Sequence, residues 1–323
     1  MGASTNRLVS PAKPRIGLAG MTQRTVAVLE RLVQLAPHAQ VTVISAPGEP
    51  YEPGFLDDLR RLTAEVDGLF FEARSLAKLA RSGRWDPSAL DVLLLVNWRW
   101  LVPSAVYRMP TLGTFVFHDS LLPAYRGFSP TVWAIINGEE RTGATLFAIS
   151  DEVDAGDIIG QREVPIGCND PVGVVMERVT DAYLRLLDDH LSDLLIGEAH
   201  RRPQDHDHAT YACKRTPEDN AIEWAAPTHT IHNLIRAVTH PYPGAFTTLG
   251  GERLRVWSSR SGKEQLRYVG RVPGAVIDIR RREGVTVLTG DGALMLECVQ
   301  LDGQPAVNAA ELISSLGTRL GRK

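Results

Sequence analysis

Two spacings of apolar residues alternate along the first part of the chain. Short apolar runs at 15–20 and 91–96 predict strands, and the second run is apolar almost throughout, as expected of a strand buried on both faces. Apolar residues at helical spacing, as at 25–33 and 174–195, predict helices. The same patterns predict further strands at 41–44, 69–71, 114–118 and 142–150 and further helices at 57–66, 75–81 and 131–137. This alternation predicts an α/β domain whose mostly parallel sheet is doubly wound, with helices on both faces.

After residue 209 the pattern changes to short strands that are separated by glycine-bearing turns. A helix is predicted at 228–237 and strands at 246–248, 253–257, 274–278, 285–288 and 294–297. Such a series predicts a small β-barrel of the OB-like type. We therefore divide the chain into a loose leader (1–13), an α/β domain (14–196), a polar linker (197–209) and a C-terminal barrel domain (210–318).

Composition and charge narrow the classes of protein to which the chain can belong. Its 323 residues carry 35 Lys and Arg against 38 Asp and Glu, a net charge of −3, so charge gives no argument for a nucleic-acid partner. The apolar runs fall far short of the ~20 residues of a membrane-spanning helix, so no membrane contact is expected. Cys168, Cys213 and Cys298 are odd in number and form no CxxC pair, which argues against a disulfide framework or a zinc ribbon. The N-terminus shows no signal sequence, and a cytoplasmic protein is expected.

His118 and the acidic segment 151–157 are the strongest candidates for chemistry. His118 ends a predicted strand, and the carboxyl ends of parallel strands form the ligand crevice of an open α/β sheet. A carboxylate from a neighbouring loop, such as that of Asp154, would stabilise an imidazolium and make an acid/base pair. The residues alone leave other interpretations open, because a histidine at a strand end is often structural and an acidic loop is often a solvated turn or a site for a divalent cation.

A longer set of residues resembles the folate-dependent formyltransferase family. Its first motif is Ser-Leu-Leu-Pro-x-Tyr-Arg-Gly at 120–127, whose structural positions are Ser120, Leu122, Pro123, Arg126 and Gly127. Further matches lie at 133–139, 142–145, 154–159, 211–214, 222–224, 235–237 and 243–246. The resemblance covers residues 14–318, and it implies a Rossmann-like formyltransferase domain followed by the OB-like domain.

The resemblance also implies a cosubstrate and a role for each candidate residue. The donor is expected to be 10-formyltetrahydrofolate, bound along the crevice without a metal ion. His118 is expected to transfer the proton, and Asp154 to keep it protonated while negative charge develops on the formyl oxygen. The residues expected to bind the folate are Trp100, Leu101, Val102, Phe128, Ser150, Asp151, Glu152, Val153 and Asp154.

The same resemblance favours a small amine as the acceptor. Methionyl-tRNA formyltransferase, one member of the family, usually carries a basic insertion, whereas the corresponding residues 46–53 are acidic here and give phosphates no cationic contact. Residues 256–260 and 273–277 look similar to the module that formylates UDP-4-amino-4-deoxy-arabinose. A nucleotide-linked amino sugar or a natural-product amine is therefore expected rather than tRNA, and a homodimer is left open as the assembly.

Val116 departs from the Asn-x-His motif of the family. In the family this asparagine donates a hydrogen bond to the oxyanion of the tetrahedral intermediate, and losing one such donor typically costs ~3 to 4 kcal/mol of transition-state stabilisation. Strand alternation puts Val116 and His118 on one face, where valine cannot donate. Phe128 lies where relatives can place a polar folate contact, which also indicates an altered pocket. Three hypotheses remain: slower formyl transfer, a different one-carbon or acyl transfer, or ligand binding without catalysis.

Overall fold

The computed structural model of the chain describes residues 13–48, 54–261 and 268–322. Most of the predicted leader therefore lies outside the described residues. So does 49–53, part of the acidic segment on which the prediction against a tRNA acceptor depends. No helix within the described ranges has the length and hydropathy needed to cross a membrane.

Strands and helices alternate in the N-terminal part of the described chain. The strands are β1 (Arg15–Gly20), β2 (Gln40–Ser45), β3 (Leu69–Glu72), β4 (Val92–Val96), β5 (Gly113–His118), β6 (Arg126–Gly127), β7 (Arg141–Ala148) and β8 (Ile158–Pro165). The helices are α1 (Gln23–Leu35), α2 (Leu56–Glu65), α3 (Leu76–Arg81), α4 (Ser104–Tyr107), α5 (Pro130–Ile136) and α6 (Val172–Ile196). Every strand and helix that apolar spacing predicts in this part of the chain is present, and its ends are shifted by no more than 2 residues.

All of these strands except β6 form one sheet, in the order β3-β2-β1-β4-β5-β7-β8. The strands from β3 to β5 along this order run parallel. At the other edge, β7 pairs antiparallel with β5, and β8 pairs antiparallel with β7. The sheet is therefore mostly parallel, which confirms the prediction. Apolar spacing does not predict β8, because this edge strand carries an exposed polar pair, Arg162 and Glu163, in its second half.

Helices cover both faces of the sheet, so the doubly wound arrangement is also confirmed. Leu94 of β4 belongs to the apolar cluster that contains Leu29 of α1. The next residue, Leu95, belongs to a second cluster, with Leu76 of α3. Because successive side chains of a strand point to opposite faces, the two clusters lie on opposite sides of the sheet. Burial on both sides explains why 91–96 is apolar almost throughout.

The C-terminal part contains an antiparallel β domain, as the series of short strands predicts. Its strands are β9 (Tyr211–Ala212), β10 (Ala245–Leu249), β11 (Glu252–Ser261), β12 (Val276–Arg280), β13 (Gly284–Leu288), β14 (Ala293–Leu301) and β15 (Val307–Asn308), and its helices are α7 (Thr228–Val238) and α8 (Ala309–Leu312). The sheet has the order β10-β11-β14-β13-β12, and β15 pairs with β14. β9 instead pairs in parallel with β6, which joins the start of this part to the 120–127 motif.

The predicted linker, 197–209, packs along the α/β domain. Arg202 and Ile158 exchange two backbone hydrogen bonds, of 2.8 and 2.9 Å. Gln204 is only 5% exposed, although it lies in a polar run. Polar groups of this segment therefore bond to the α/β domain, and Gln204 reaches the candidate site described next.

Candidate active site

His118, the last residue of β5, lies at the carboxyl edge of the parallel strands. Its Nε2 is 2.8 Å from the carbonyl oxygen of Tyr125. A carbonyl only accepts, so Nε2 carries the hydrogen, and Nδ1 is the nitrogen left to gain or lose a proton. Nδ1 lies 3.7 Å from Asp154 Oδ2, too far for a hydrogen bond but close enough for the carboxylate to attract an imidazolium. The structure thus brings together the two residues predicted as an acid/base pair.

Asp154 is held by its backbone and by its carboxylate. Its φ of +51° lies in the left-handed region, which Asp tolerates better than most residues. Its Oδ2 accepts a 2.7 Å hydrogen bond from the Gly127 N–H, and its carbonyl oxygen accepts a 2.9 Å bond from Gln204 Nε2. The direction of the carboxylate is therefore set by groups other than the imidazole.

Buried hydroxyl groups fix the first half of the 120–127 motif against β7. The Ser120 hydroxyl, in a residue only 1% exposed, donates a 2.6 Å hydrogen bond to the carbonyl oxygen of Ala124. Thr145 Oγ1 donates to the Ser120 carbonyl at 2.6 Å and accepts from the Leu122 N–H at 3.2 Å. These bonds tie the residues directly after His118 to the neighbouring strand.

The second half of the motif is tied to the residues around β9. The Thr210 N–H donates to the Pro123 carbonyl at 3.2 Å, and Thr210 Oγ1 accepts from the Tyr125 N–H at 2.8 Å. Gly127 has a φ of +102°, and a Cβ there would lie 2.6 Å from the carbonyl oxygen of Ala212. Only glycine fits this close approach of β6 to β9.

Arg126 is 1% exposed and has neutral partners. Its Nε and Nη2 donate to Gln204 Oε1 at 3.2 and 2.7 Å. Its Nη2 also lies 3.1 Å from His206 Nδ1, which accepts, and its Nη1 lies 3.3 Å from the Tyr211 hydroxyl. The motif arginine therefore joins the predicted linker to the candidate site.

Asp119, the residue after His118, belongs to a buried ionic cluster. Arg24 Nη1 lies 2.6 Å from each of its carboxylate oxygens, and the Tyr183 hydroxyl donates to Oδ1. Burial alone would raise the pKa of Asp119, but the charge of Arg24 and the hydrogen bonds of Arg24 and Tyr183 outweigh it and lower this pKa below its ordinary value. Burial and the adjacent carboxylate raise the pKa of Tyr183 well above its ordinary value. Asp119 is therefore ionised and paired with Arg24.

The predicted folate-binding segment 150–154 is bonded to the residues that follow the other predicted segment, 100–102. Tyr107, in the helix that follows 100–102, donates a 2.5 Å hydrogen bond to Asp151 Oδ1. Arg108 Nη2 lies 2.7 Å from Asp151 Oδ2. The loop after β7 is thus tied to the end of α4.

Apolar side chains of the predicted folate-binding set are exposed. Leu101 is 87% exposed, Val153 52% and Phe128 48%, while Trp100 and Val102 are half-buried. An open cleft of about 540 Å³ also lies against the 150–155 loop. The residues that line it are Arg126, Ser150, Asp151, Glu152, Ala155, His206 and Tyr211.

Val116 offers the site no hydrogen-bond donor from its side chain. It is half-buried and packs against Leu122, Phe147 and Ile158. Within the described ranges, no group of three or more His, Cys, Asp or Glu side chains is arranged to hold a metal ion.

Sequence reasoning did not identify Arg24, Asn97 or Gln204 as functional candidates. Arg24 and Gln204 gave no local signal, because they bond to Asp119 and Arg126, which lie 95 and 78 positions away along the chain. Asn97 had a usable signal, since it follows β4 at the carboxyl edge that also carries His118.

Two family models match the chain. The model described as "Formyl transferase" matches residues 18–190, more than half of the chain. The model described as "Formyl transferase, C-terminal domain" matches residues 214–317. Together they span both the α/β part and the antiparallel β part.

Several solved structures share this fold. HypX from Aquifex aeolicus, solved in complex with tetrahydrofolic acid, has a TM-score of 0.61 and 20% identity, and the match covers 93% of this chain but 47% of HypX. The chain thus spans about half the length of that protein.

WlaRD, a sugar 3N-formyl transferase solved in the presence of dTDP and 5-N-formyl-THF, has a TM-score of 0.65 and 16% identity, covering 90% of this chain and 99% of WlaRD. The N-formyltransferase from Helicobacter canadensis, in complex with folinic acid and dTDP-3-aminofucose, has a TM-score of 0.66 and 18% identity, covering 88% of this chain and 98% of that chain. At these identities the similarity establishes the fold.

Proposed function

The chain belongs to the formyl transferase family of enzymes, and on that basis we propose that it moves a formyl group from 10-formyltetrahydrofolate to the amine of a nucleotide-linked amino sugar. The reaction forms a bond between the amine nitrogen and the formyl carbon and breaks the bond between that carbon and folate N10. One proton leaves the amine, and one proton reaches N10. A group that carries a proton between the two nitrogens is therefore required.

The surroundings of His118 are the observation that carries this proposal. Because Nε2 donates to the Tyr125 carbonyl, a proton is exchanged at Nδ1. Nδ1 faces the Asp154 carboxylate at 3.7 Å, and this negative charge stabilises the ring while it holds the extra proton. One nitrogen thus orients the ring, and the other takes the proton from the attacking amine and delivers it to the leaving nitrogen.

The exposed apolar residues of the predicted folate-binding set support a folate as the donor. The exposed side chains of Leu101, Phe128 and Val153 and the half-buried ring of Trp100 offer apolar contact to a flat fused ring. The polar backbone of 150–154 offers donors and acceptors to the ring edge, and we assign the pterin to the space between this loop and 100–102. When bound, the folate supplies the activated formyl group.

An amino-sugar acceptor has three lines of support. WlaRD and the Helicobacter canadensis protein, which share the fold, were solved with dTDP and with dTDP-3-aminofucose. The chain itself has a net charge of −3, which offers little attraction to a polyanion such as tRNA. The sequence similarity to the UDP-4-amino-4-deoxy-arabinose module adds UDP-linked amino sugars to the candidates.

The proposal is tested by incubating the full chain with 10-formyltetrahydrofolate and a panel of acceptors, and by measuring the release of tetrahydrofolate. The panel holds dTDP- and UDP-linked amino sugars, the same nucleotide sugars with hydroxyl in place of the amine, and methionyl-tRNA. We expect release only with the amino sugars. His118→Ala should lower kcat by ~10² to 10⁴-fold, the usual contribution of a general acid/base.

The exposed residue His38 provides the matched control, because His38→Ala removes a histidine from the turn before β2. Folate binding without release of tetrahydrofolate for any acceptor would contradict formyl transfer and favour a binding protein. Release of tetrahydrofolate with methionyl-tRNA but not with amino sugars would contradict the proposed acceptor, although it would still support formyl transfer.

A further inference from the structure

The formyl oxygen needs hydrogen-bond donors that the face of β5 does not supply. When an amine attacks a formyl carbon, negative charge develops on the formyl oxygen, and preorganised donors lower the barrier. The nearest β5 residue on the same face as His118 is Val116, whose side chain packs against Leu122, Phe147 and Ile158. A side-chain donor to complement His118 therefore has to come from another element.

Asn97 lies directly after β4, the strand beside β5. The parallel register pairs Val96 with Phe117, so Asn97 and His118 are the next positions along two neighbouring strands, at the carboxyl edge of the sheet. Asn97 has a φ of +50°, a left-handed conformation that Asn adopts more readily than most residues. The chain turns out of the sheet here, and Asn97 is half-buried at the rim of the crevice.

The orientation of the Asn97 amide follows from its partners. Its Oδ1 accepts from Thr22 Oγ1 at 3.1 Å and from Arg24 Nη1 at 3.4 Å. A guanidinium only donates, so the oxygen faces Arg24 and the NH₂ group points away from it. Among the described residues, Nδ2 has no hydrogen-bond partner, although the oxygen of the same amide has two. The amide thus keeps its donors for a ligand.

Arg24, which orients the amide, is itself fixed. It is 6% exposed, its Nη1 is held by both oxygens of Asp119 at 2.6 Å, and its Nε donates to Thr180 Oγ1 at 3.0 Å. Nη2 adds a 3.3 Å bond to the Met176 carbonyl. A buried guanidinium with this many bonds does not reorient when a ligand binds, so the amide is preorganised, as an oxyanion donor has to be.

We propose that the side-chain amide of Asn97 donates a hydrogen bond to the formyl oxygen as it becomes negative, in place of the donor that Val116 cannot supply. The inference rests on the proposed formyl transfer and identifies a second side chain that contacts the reacting atoms. Arg24 and Thr22 are positioning residues, because they act on the amide and not on the substrate.

The first test is Asn97→Asp. A carboxylate has the same shape, still accepts from Thr22 and Arg24, and tolerates the left-handed backbone, but it cannot donate. We expect kcat to fall by ~10² to 10³-fold, with the KM for the acceptor amine and the urea midpoint of unfolding nearly unchanged. Asn169→Asp is the control, because it makes the same change of charge at an exposed turn residue before α6 and should keep the wild-type kcat.

The second test moves the donor to the neighbouring strand. Adding Val116→Asn to Asn97→Asp should recover at least ~10-fold of the lost kcat, since one donor then reaches the same oxygen from β5. A kcat for Asn97→Asp within about threefold of wild type would overturn the inference, and so would a double variant no faster than Asn97→Asp.

A third test measures binding and separates this inference from the proposed function. The affinities of 10-formyl-5,8-dideazafolate and of unformylated 5,8-dideazafolate are compared by calorimetry. We expect the preference for the formylated analogue to fall in Asn97→Asp, with the affinity for the unformylated one unchanged. An equal preference in both proteins overturns the role of Asn97 even if wild type transfers formyl groups. Failure of wild type to transfer formyl to any acceptor overturns the proposed function, whatever the binding ratio.

Discussion

The N–H of Gly127 donates a 2.7 Å hydrogen bond to Asp154 Oδ2 and so points this carboxylate towards His118. The contact joins residues 27 positions apart, one in β6 and one in the loop after β7. Because the backbone of β6 is itself paired with β9, the direction of the Asp154 carboxylate depends on a segment that follows the predicted linker.

Gly127→Ala should destabilise the fold and lower activity together. The alanine Cβ would lie 2.6 Å from the Ala212 carbonyl oxygen at a φ of +102°, so β6 and β9 have to separate and move the N–H that holds Asp154. We expect a loss of ~2 to 3 kcal/mol in the free energy of unfolding, measured with urea, and a lower kcat. Gly83→Ala is the control, since Gly83 also has a positive φ, +70°, but has open space around it, and it should cost ~1 kcal/mol with unchanged kcat. Equal losses in both variants would contradict the close-approach explanation.

Asp154→Asn should remove charge while keeping shape. The amide oxygen still accepts from the Gly127 N–H, so the loop stays in place, but nothing stabilises a positive charge on His118 from that side. We expect kcat to fall by at least ~10²-fold with an unchanged melting temperature. Asp157→Asn makes the same change in the same loop and should be close to wild type in both measurements. A similar fall in kcat for both variants would indicate a general effect of loop charge.

Asp119→Asn should be strongly destabilising. It leaves the Arg24 guanidinium buried without its counter-charge, which typically costs ~3 to 5 kcal/mol. Glu163→Gln, in an exposed pair with Arg141 at 3.0 Å, should cost less than ~1 kcal/mol. Both values come from urea unfolding at pH 7. A loss below ~1 kcal/mol in Asp119→Asn would show that the buried pair contributes no more than a surface pair.

The contribution of Asp119 should also depend on pH. Its pKa is lower in the folded than in the unfolded chain, where it is ~3.9, so its ionisation stabilises the fold at pH above ~4. As the pH falls from there through the folded pKa, that stabilisation is lost. The difference in unfolding free energy between wild type and Asp119→Asn should therefore be constant from pH 7 to pH 5 and shrink below pH ~4. A difference that grows on acidification would contradict the lowered pKa.

Gln204→Leu should uncouple the linker from the site. Gln204 accepts from Arg126 and donates to the carbonyl oxygens of Asp154 and Gly156, at 2.9 and 2.7 Å, and leucine of similar size replaces none of these bonds. Leaving a buried guanidinium and two carbonyls with fewer partners should cost ~2 to 4 kcal/mol of unfolding free energy and lower kcat as Asp154 loses its anchor. Gln40→Leu, at an exposed position, should leave both the unfolding free energy and kcat close to their wild-type values. Wild-type kcat in Gln204→Leu would show that the linker does not position Asp154.

Much of the fold was predictable because single strands and helices carry their own burial pattern. The run at 91–96 is apolar because it is covered on both faces, and α6 shows its buried side at helical spacing over its whole length. The edge strand β8 escaped prediction because exposure of Arg162 and Glu163 breaks the alternation. The position of His118 at the carboxyl edge followed from the order of strands.

Local spacing along the chain was sufficient to determine the layered α/β fold, the antiparallel second part and the strand end that carries His118, because each depends on interactions between residues close in sequence. Tertiary structure alone decided that Nδ1 of His118 faces Asp154, that Gln204 anchors the loop of Asp154, and that Arg24 turns the Asn97 amide away from itself. These contacts join residues 36 to 73 positions apart. Polar side chains far apart in sequence have no periodic pattern, so their pairing becomes visible only when the packed sheet has brought them within hydrogen-bonding distance.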